Sequence, residues 1–136
     1  MTEQLPYLEV PTTPDSQRFW EELAAGRFTI PWCTTCDTWV WHPRTVCPRC
    51  LCTVDAERTL DGGGEVYSFS IVHRGADGFE GVTPYVLAYV TMDGGPTVLA
   101  NIVGAASLDV AITDRVRLVA PDAPVSTGAV RFERQR

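Results

Sequence analysis

Two Cys-x-x-Cys pairs constrain this chain more than any other feature in it. They lie in CTTCDTWVWHPRTVCPRC, residues 33–50, as Cys33-Thr-Thr-Cys36 and Cys47-Pro-Arg-Cys50, with ten residues between them. A turn of this spacing lets two sulfurs and nearby backbone N–H groups face one point, and four thiolates converging tetrahedrally suit Zn²⁺. Three other chemistries use the same residues. Disulfides require an oxidising compartment, and a redox-active pair works singly beside a β-α-β unit. Iron takes the same four-cysteine geometry and stays open beside zinc. Because a closed four-cysteine site leaves no position for water or substrate, the metal is expected to stabilise structure and not to perform chemistry.

Thr38–Trp41 reads as a short strand between the pairs, so the segment resembles a zinc ribbon or a rubredoxin-like pair of knuckles, with Pro48 pre-setting the second turn. Cys52 offers a rival sulfur next to Cys50. The two-residue spacing favours Cys50 as the ligand, and Cys52 reads as a small buried hydrophobe. His42 reads as a surface residue, since four cysteines already fill the site.

At 136 residues the chain is long enough to bury a core without help from a metal. Residues 1–14 carry three prolines and read as an irregular arm. A helix is expected over 15–25, capped by Asp15 or Ser16, with Phe19, Trp20 and Leu23 anchoring one face and Gly26 ending it. Beyond Gly62 five apolar stretches alternate with Gly and Pro: Glu65–His73, Tyr85–Met92, Thr97–Val103, Arg115–Val119 and Ala129–Phe132. They read as strands of a largely antiparallel sheet, with Asp93–Pro96 as a tight hairpin and Asp61–Gly64 as a flexible entry. Five short strands favour a closed barrel, which leaves no sheet edge exposed. The expected fold is mainly β: an arm and helix (1–26), a Cys₄ ribbon (27–60) and a five-stranded OB-fold barrel (61–136).

The net charge is −6, and a zinc-loaded four-thiolate site would add about two more negative charges. Every one of the eleven fixed cations is arginine, and no basic stripe stands out. Nucleic-acid binding usually starts from a basic field, so that role is disfavoured. The alternative reading is nonetheless a single-stranded nucleic-acid module that stacks bases on Trp39 or Trp41 and binds in a salt-sensitive way. The first residues show no secretory pattern, and the longest apolar run, Val82–Met92, is too short for a membrane span and contains Pro84. A cytoplasmic location is expected. There is no Gly-x-Ser-x-Gly, phosphate loop or pair of His ligands, so a free-standing catalyst is poorly supported.

The order helix, Cys₄ ribbon, small barrel resembles the DUF35 family over nearly the whole chain. The stretches that carry the resemblance are SQRFWEELAAG (16–26), Pro43-Arg44 ahead of Cys47-Pro-Arg-Cys50, GEVYSFSIVHR (64–74), Thr83-Pro-Tyr-Val86 and LANIVG (99–104). The chain departs from the family pattern at Asp37 and Leu51, where a glycine commonly follows each knuckle, and within Val110–Asp114, where a glycine turn normally precedes the next strand. The resemblance implies a non-catalytic accessory subunit of a thiolase-like enzyme in acyl-CoA metabolism. In such a complex the ribbon and barrel contact the partner and help cradle CoA or the acyl group. His73, Arg74, Phe79 and Tyr85, which flank the loop 75–84, are the candidate ligand or partner contacts. Guanidinium forks suit the phosphates of CoA and aromatic rings its adenine.

Overall fold

The computed structural model describes residues 5–7, 12–76, 78–121 and 129–135. Of the arm expected over 1–14, residues 1–4 and 8–11 lie outside the described residues.

Helix α1 (Gln17–Ala24) buries Phe19 and Leu23 and packs Trp20 against the core, as their spacing implies. Neither Asp15 nor Ser16 caps it. Ser16 already has helical φ/ψ, and its hydroxyl turns back to accept from the Thr13 N–H at 3.1 Å, while the Ser16 N–H donates to the Thr13 hydroxyl at 3.3 Å. The reciprocal turn therefore begins at Thr13. At the other end Gly26, at φ 86°, donates to Leu23 O and Arg27 donates to Glu22 O, which closes the helix with a Schellman pair of bonds.

Strand β1 (Phe28–Cys33) pairs antiparallel with β2 (Thr38–Trp39) on one side and β3 (Ala56–Leu60) on the other. The remaining strands are β4 (Gly63–Val72), β5 (Tyr85–Met92), β6 (Thr97–Val103), β7 (Arg115–Leu118) and β8 (Arg131–Arg134). They close a barrel in the order β4-β5-β6-β8-β7 with β7 returning to β4, and only β6 and β8 pair in parallel. This is the Greek-key connectivity of an OB fold. Strict alternation along β5 sends Val86, Ala88, Val90 and Met92 inward.

One core runs through the molecule. Phe19 and Leu23 of α1 and Phe28 and Ile30 of β1 join Val66, Val90, Ile102, Val116 and Phe132 of the barrel in a single buried cluster. The knuckles form a second, small cluster around Cys33, Val40 and Cys47. The entry to the barrel is tightly packed where the sequence suggests flexibility. Gly62, Gly63 and Gly64 are buried, Asp61 accepts from the Gly63 N–H at 2.8 Å, and a Cβ on Gly64 would meet Val90 Cγ1 at 2.8 Å. Glycine serves there because β4 passes close against β5. No helix among the described residues is long and apolar enough to cross a membrane.

Candidate functional site

The knuckles are built from backbone hydrogen bonds. In the first, the Cys36 N–H points at Cys33 Sγ at 3.4 Å. The second rests on a narrow hairpin in which Val46 bridges Thr53, Cys47 N–H donates to Cys52 O at 2.9 Å and Leu51 N–H donates to Cys47 O at 2.8 Å. Both turns pass through left-handed residues, Asp37 at φ 51° and Leu51 at φ 64°. The pleat of β1 and these two turns bring together the sulfurs of Cys33, Cys36, Cys47 and Cys50, all within 4.8 Å of one another. Around a tetrahedral ion with Zn–S near ~2.3 Å, sulfurs stand roughly 3.8 Å apart. Cys33 and Cys50 are 3.6 Å apart, and none of the five cysteines is in a disulfide. The donor set fits a thiophilic tetrahedral cation.

Cys33 and Cys47 are buried, and Cys36 and Cys50 are half-buried. Backbone N–H groups of Cys50 and Arg49 hold the Cys47 thiol down at about 7, whereas hydrogen bonding to Cys50, then burial, pushes Cys36 up to about 12.

Cys52 is exposed, not buried. Its carbonyl is committed to the Cys47 N–H, and its side chain faces solvent beyond the hairpin. His42 is exposed and stacks on Trp41, with ring centres 5.0 Å apart. Trp41 itself is packed edge-on against Phe19 at 5.2 Å, so it offers no free platform for a base, while Trp39 is 38% exposed. Outside the knuckles, Trp32 donates to Asp37 Oδ1 at 3.2 Å and carries the Arg58 guanidinium 3.8 Å above its ring, which braces the first turn against β3.

The four barrel-rim candidates differ in exposure and in contacts. His73 and Arg74 are exposed; Phe79 and Tyr85 are half-buried and touch each other, ring centres 5.1 Å apart. Tyr85 alone of the four lines a cleft of about 780 Å³ between the loop 81–85, the turn after β6 and the arm. At its floor lies Arg131, a residue that sequence reasoning passed over. The available signal was a single arginine interrupting an otherwise apolar stretch, Ala129-Val-Arg-Phe132.

Elsewhere on the barrel, β4 slips by one residue between Val66 and Ser68, and the bulge turns Tyr67 outward to 68% exposure. Tyr89, 49% exposed, faces Leu99 across the β5–β6 pair, with the exposed Leu87 two residues along. These side chains make an uncharged, tyrosine-rich strip on the barrel exterior.

Comparison with known proteins agrees with this architecture. Residues 20–51 match the family model described as ChsH2, rubredoxin-like zinc ribbon domain, and residues 57–121 match ChsH2, C-terminal OB-fold domain. A DUF35 domain-containing scaffold protein of Methanocaldococcus jannaschii is 34% identical over 88 residues, 64% of this chain and 62% of that protein, so the match spans less than two thirds of this relative. A chain from Thermomonospora curvata named "Probable enoyl-CoA hydratase alpha subunit" is 36% identical over 94 residues, which is 65% of this chain and 28% of that one. Among solved structures, a chain of the Ltp2-ChsH2(DUF35) aldolase superposes with a TM-score of 0.78 at 28% identity, covering 92% of this chain and 98% of that chain. With ribbon and barrel both matched, and in the order in which they stand here, the chain belongs to the DUF35 family.

Proposed function

We propose that this chain is a non-catalytic accessory subunit that binds a thiolase-like enzyme and helps form its acyl-CoA site. The observation that carries the reading is the end-to-end superposition on a chain of the Ltp2-ChsH2(DUF35) aldolase, 92% of one and 98% of the other. Both the ribbon and the barrel of this chain are matched by the two family models described for ChsH2. The uncharged strip of Tyr67, Leu87, Tyr89 and Leu99 supports it, because tyrosine enrichment and charge depletion mark the centres of protein interfaces. In this reading Cys33, Cys36, Cys47 and Cys50 hold one structural Zn²⁺, which fixes the relative placement of the two knuckles and does no chemistry. The location that goes with this role is the cytoplasm.

Isolation of the chain from its native cell tests the reading. A thiolase-like enzyme is expected to co-purify, to lose turnover without this chain, and to be released by Tyr89→Asp. A monomeric, inert chain beside a partner that turns over fully in its absence overturns it. Elemental analysis is expected to find about one zinc per chain; a coloured, iron-loaded protein would replace zinc with iron.

A further inference from the structure

Arg131 differs from the other described arginines. It is 3% exposed, and since its neighbour Phe132 points into the core, it projects from the outer side of β8 beneath the arm. Nη1 donates to Leu5 O at 2.8 Å, Nη2 donates to Pro6 O, and the guanidinium lies 4.0 Å over the Tyr7 ring. Its Nε–H has no acceptor, and none of the ion pairs among the described residues includes it. Burial lowers its pKa. A buried cation held only by carbonyls and a ring face is an expensive arrangement, and it has a purpose where a counter-charge arrives from elsewhere. The cleft of about 780 Å³ opens directly on it, a volume in the range of small-molecule sites.

We propose that Arg131 is the head-group receptor of this cleft and that its ligand is a small amphiphilic monocarboxylate. The guanidinium fork matches a planar carboxylate, and the walls outside the arm, which include Val82, Pro84 and Leu108, suit an apolar body. A single cation balances a single negative charge. Glu133 lines the same cleft and the chain carries −6, so a phosphate dianion is disfavoured there. Because Nε is covered, the ligand enters by replacing the arm: a carboxylate brings the counter-charge that the neutral carbonyls of Leu5 and Pro6 lack. Leu5–Tyr7 is the movable wall. This inference stands or falls separately from the partner enzyme.

Calorimetric titration of the whole chain with octanoate, octanol and octyl phosphate tests it. Octanoate is expected to bind saturably at one site, about tenfold or more tighter than octanol, and Arg131→Lys, which keeps the charge and loses the fork, is expected to weaken it by about tenfold. If that variant does not fold, the three-ligand comparison on the unaltered chain decides. Equal binding of octanol, tighter binding of octyl phosphate, no saturation by octanoate at millimolar concentration, or undiminished binding to a folded Arg131→Lys chain each overturns the proposal. Glu9 lies outside the described residues; octanoate binding that appears only in Glu9→Gln would make this chain's own carboxylate the occupant and overturn it as well.

Discussion

A left-handed backbone costs a residue with a Cβ roughly 1–2 kcal/mol. Asp37, Leu51 and Thr113 adopt it, at φ 51°, 64° and 74°, and they fall in the three places where the family pattern carries glycine. Asp37 recovers part of the cost by accepting from the Trp32 indole N–H. Leu51 and Thr113 are exposed and recover nothing from their side chains, although the Thr113 N–H still bonds Val66 O at 2.9 Å. Leu51→Gly and Thr113→Gly are therefore expected to stabilise by up to about 1 kcal/mol each, after the extra unfolded-state entropy of glycine, and Asp37→Gly by less; thermal melts of the three variants read this directly. These turns were legible as departures from a pattern, because a backbone torsion forced by turn geometry acts on whichever residue stands there. Cys52 was misread because burial of a thiol depends on which side of a hairpin it leaves, and its spacing from Cys50 carries no such information. Arg131 was missed because its surroundings come from residues 5–7, more than a hundred positions away.

At the scale of elements, α1 and β1 are fastened by both polar and apolar contacts. Glu22 accepts from Arg27 Nε and Nη2 at 3.1 and 2.8 Å and from the Thr29 hydroxyl at 3.2 Å, and Thr29 in turn meets the Thr59 hydroxyl of β3 at 2.7 Å. The Arg27 hydrogen bonds hold the Glu22 carboxyl down at about 2, against an ordinary 4.5. A depressed folded-state pKa contributes stability that is present above the unfolded value and disappears as pH falls through the folded one. Stability should therefore decline between about 4.5 and about 2, and Glu22→Gln should flatten that part of the curve in urea unfolding compared with the unaltered chain. The apolar fastening is larger. Phe28, fully buried, meets Phe19 and Trp41 at ring-centre distances of 5.2 and 5.6 Å, and Phe28→Ala is expected to cost about 3–5 kcal/mol in chemical denaturation. Two of the expected strands, Tyr85–Met92 and Thr97–Val103, coincide with β5 and β6, because period-2 alternation and the Asp93–Pro96 turn agree on the same register. The Ser16 cap was not legible: Thr13 and Ser16 both carry hydroxyls, and which of them turns back is settled by the bend of the chain before α1.

For the whole molecule, the division at Gly26 and Leu60 follows composition, whereas the packing crosses it. Phe28 and Ile30 belong to the barrel's core, and a Cβ on Gly95 in the β5–β6 turn would run into Leu60 Cδ1 of β3. Composition shows where cysteines gather but not which apolar side chains of the ribbon's base face the barrel. The knuckles, by contrast, have only their own small cluster. Removal of metal is therefore expected to release residues 34–55 while β4–β8 stay folded. Hydrogen exchange with and without a chelator checks this: faster exchange confined to the knuckles is the expected result, and loss of protection across the barrel would show that the metal supports the entire fold.

The parallel pairing of β6 with β8 also has a meaning for biosynthesis. β8 is inserted between β6 and β7, so until residues 131–134 have left the ribosome both neighbours present open hydrogen-bonding edges. The ribbon can take up its metal early, since its sulfurs are complete by Cys50, but the barrel closes only once β8 has emerged. The nascent polypeptide is thus most open to sticking to other chains after β7 has emerged and before β8 follows it.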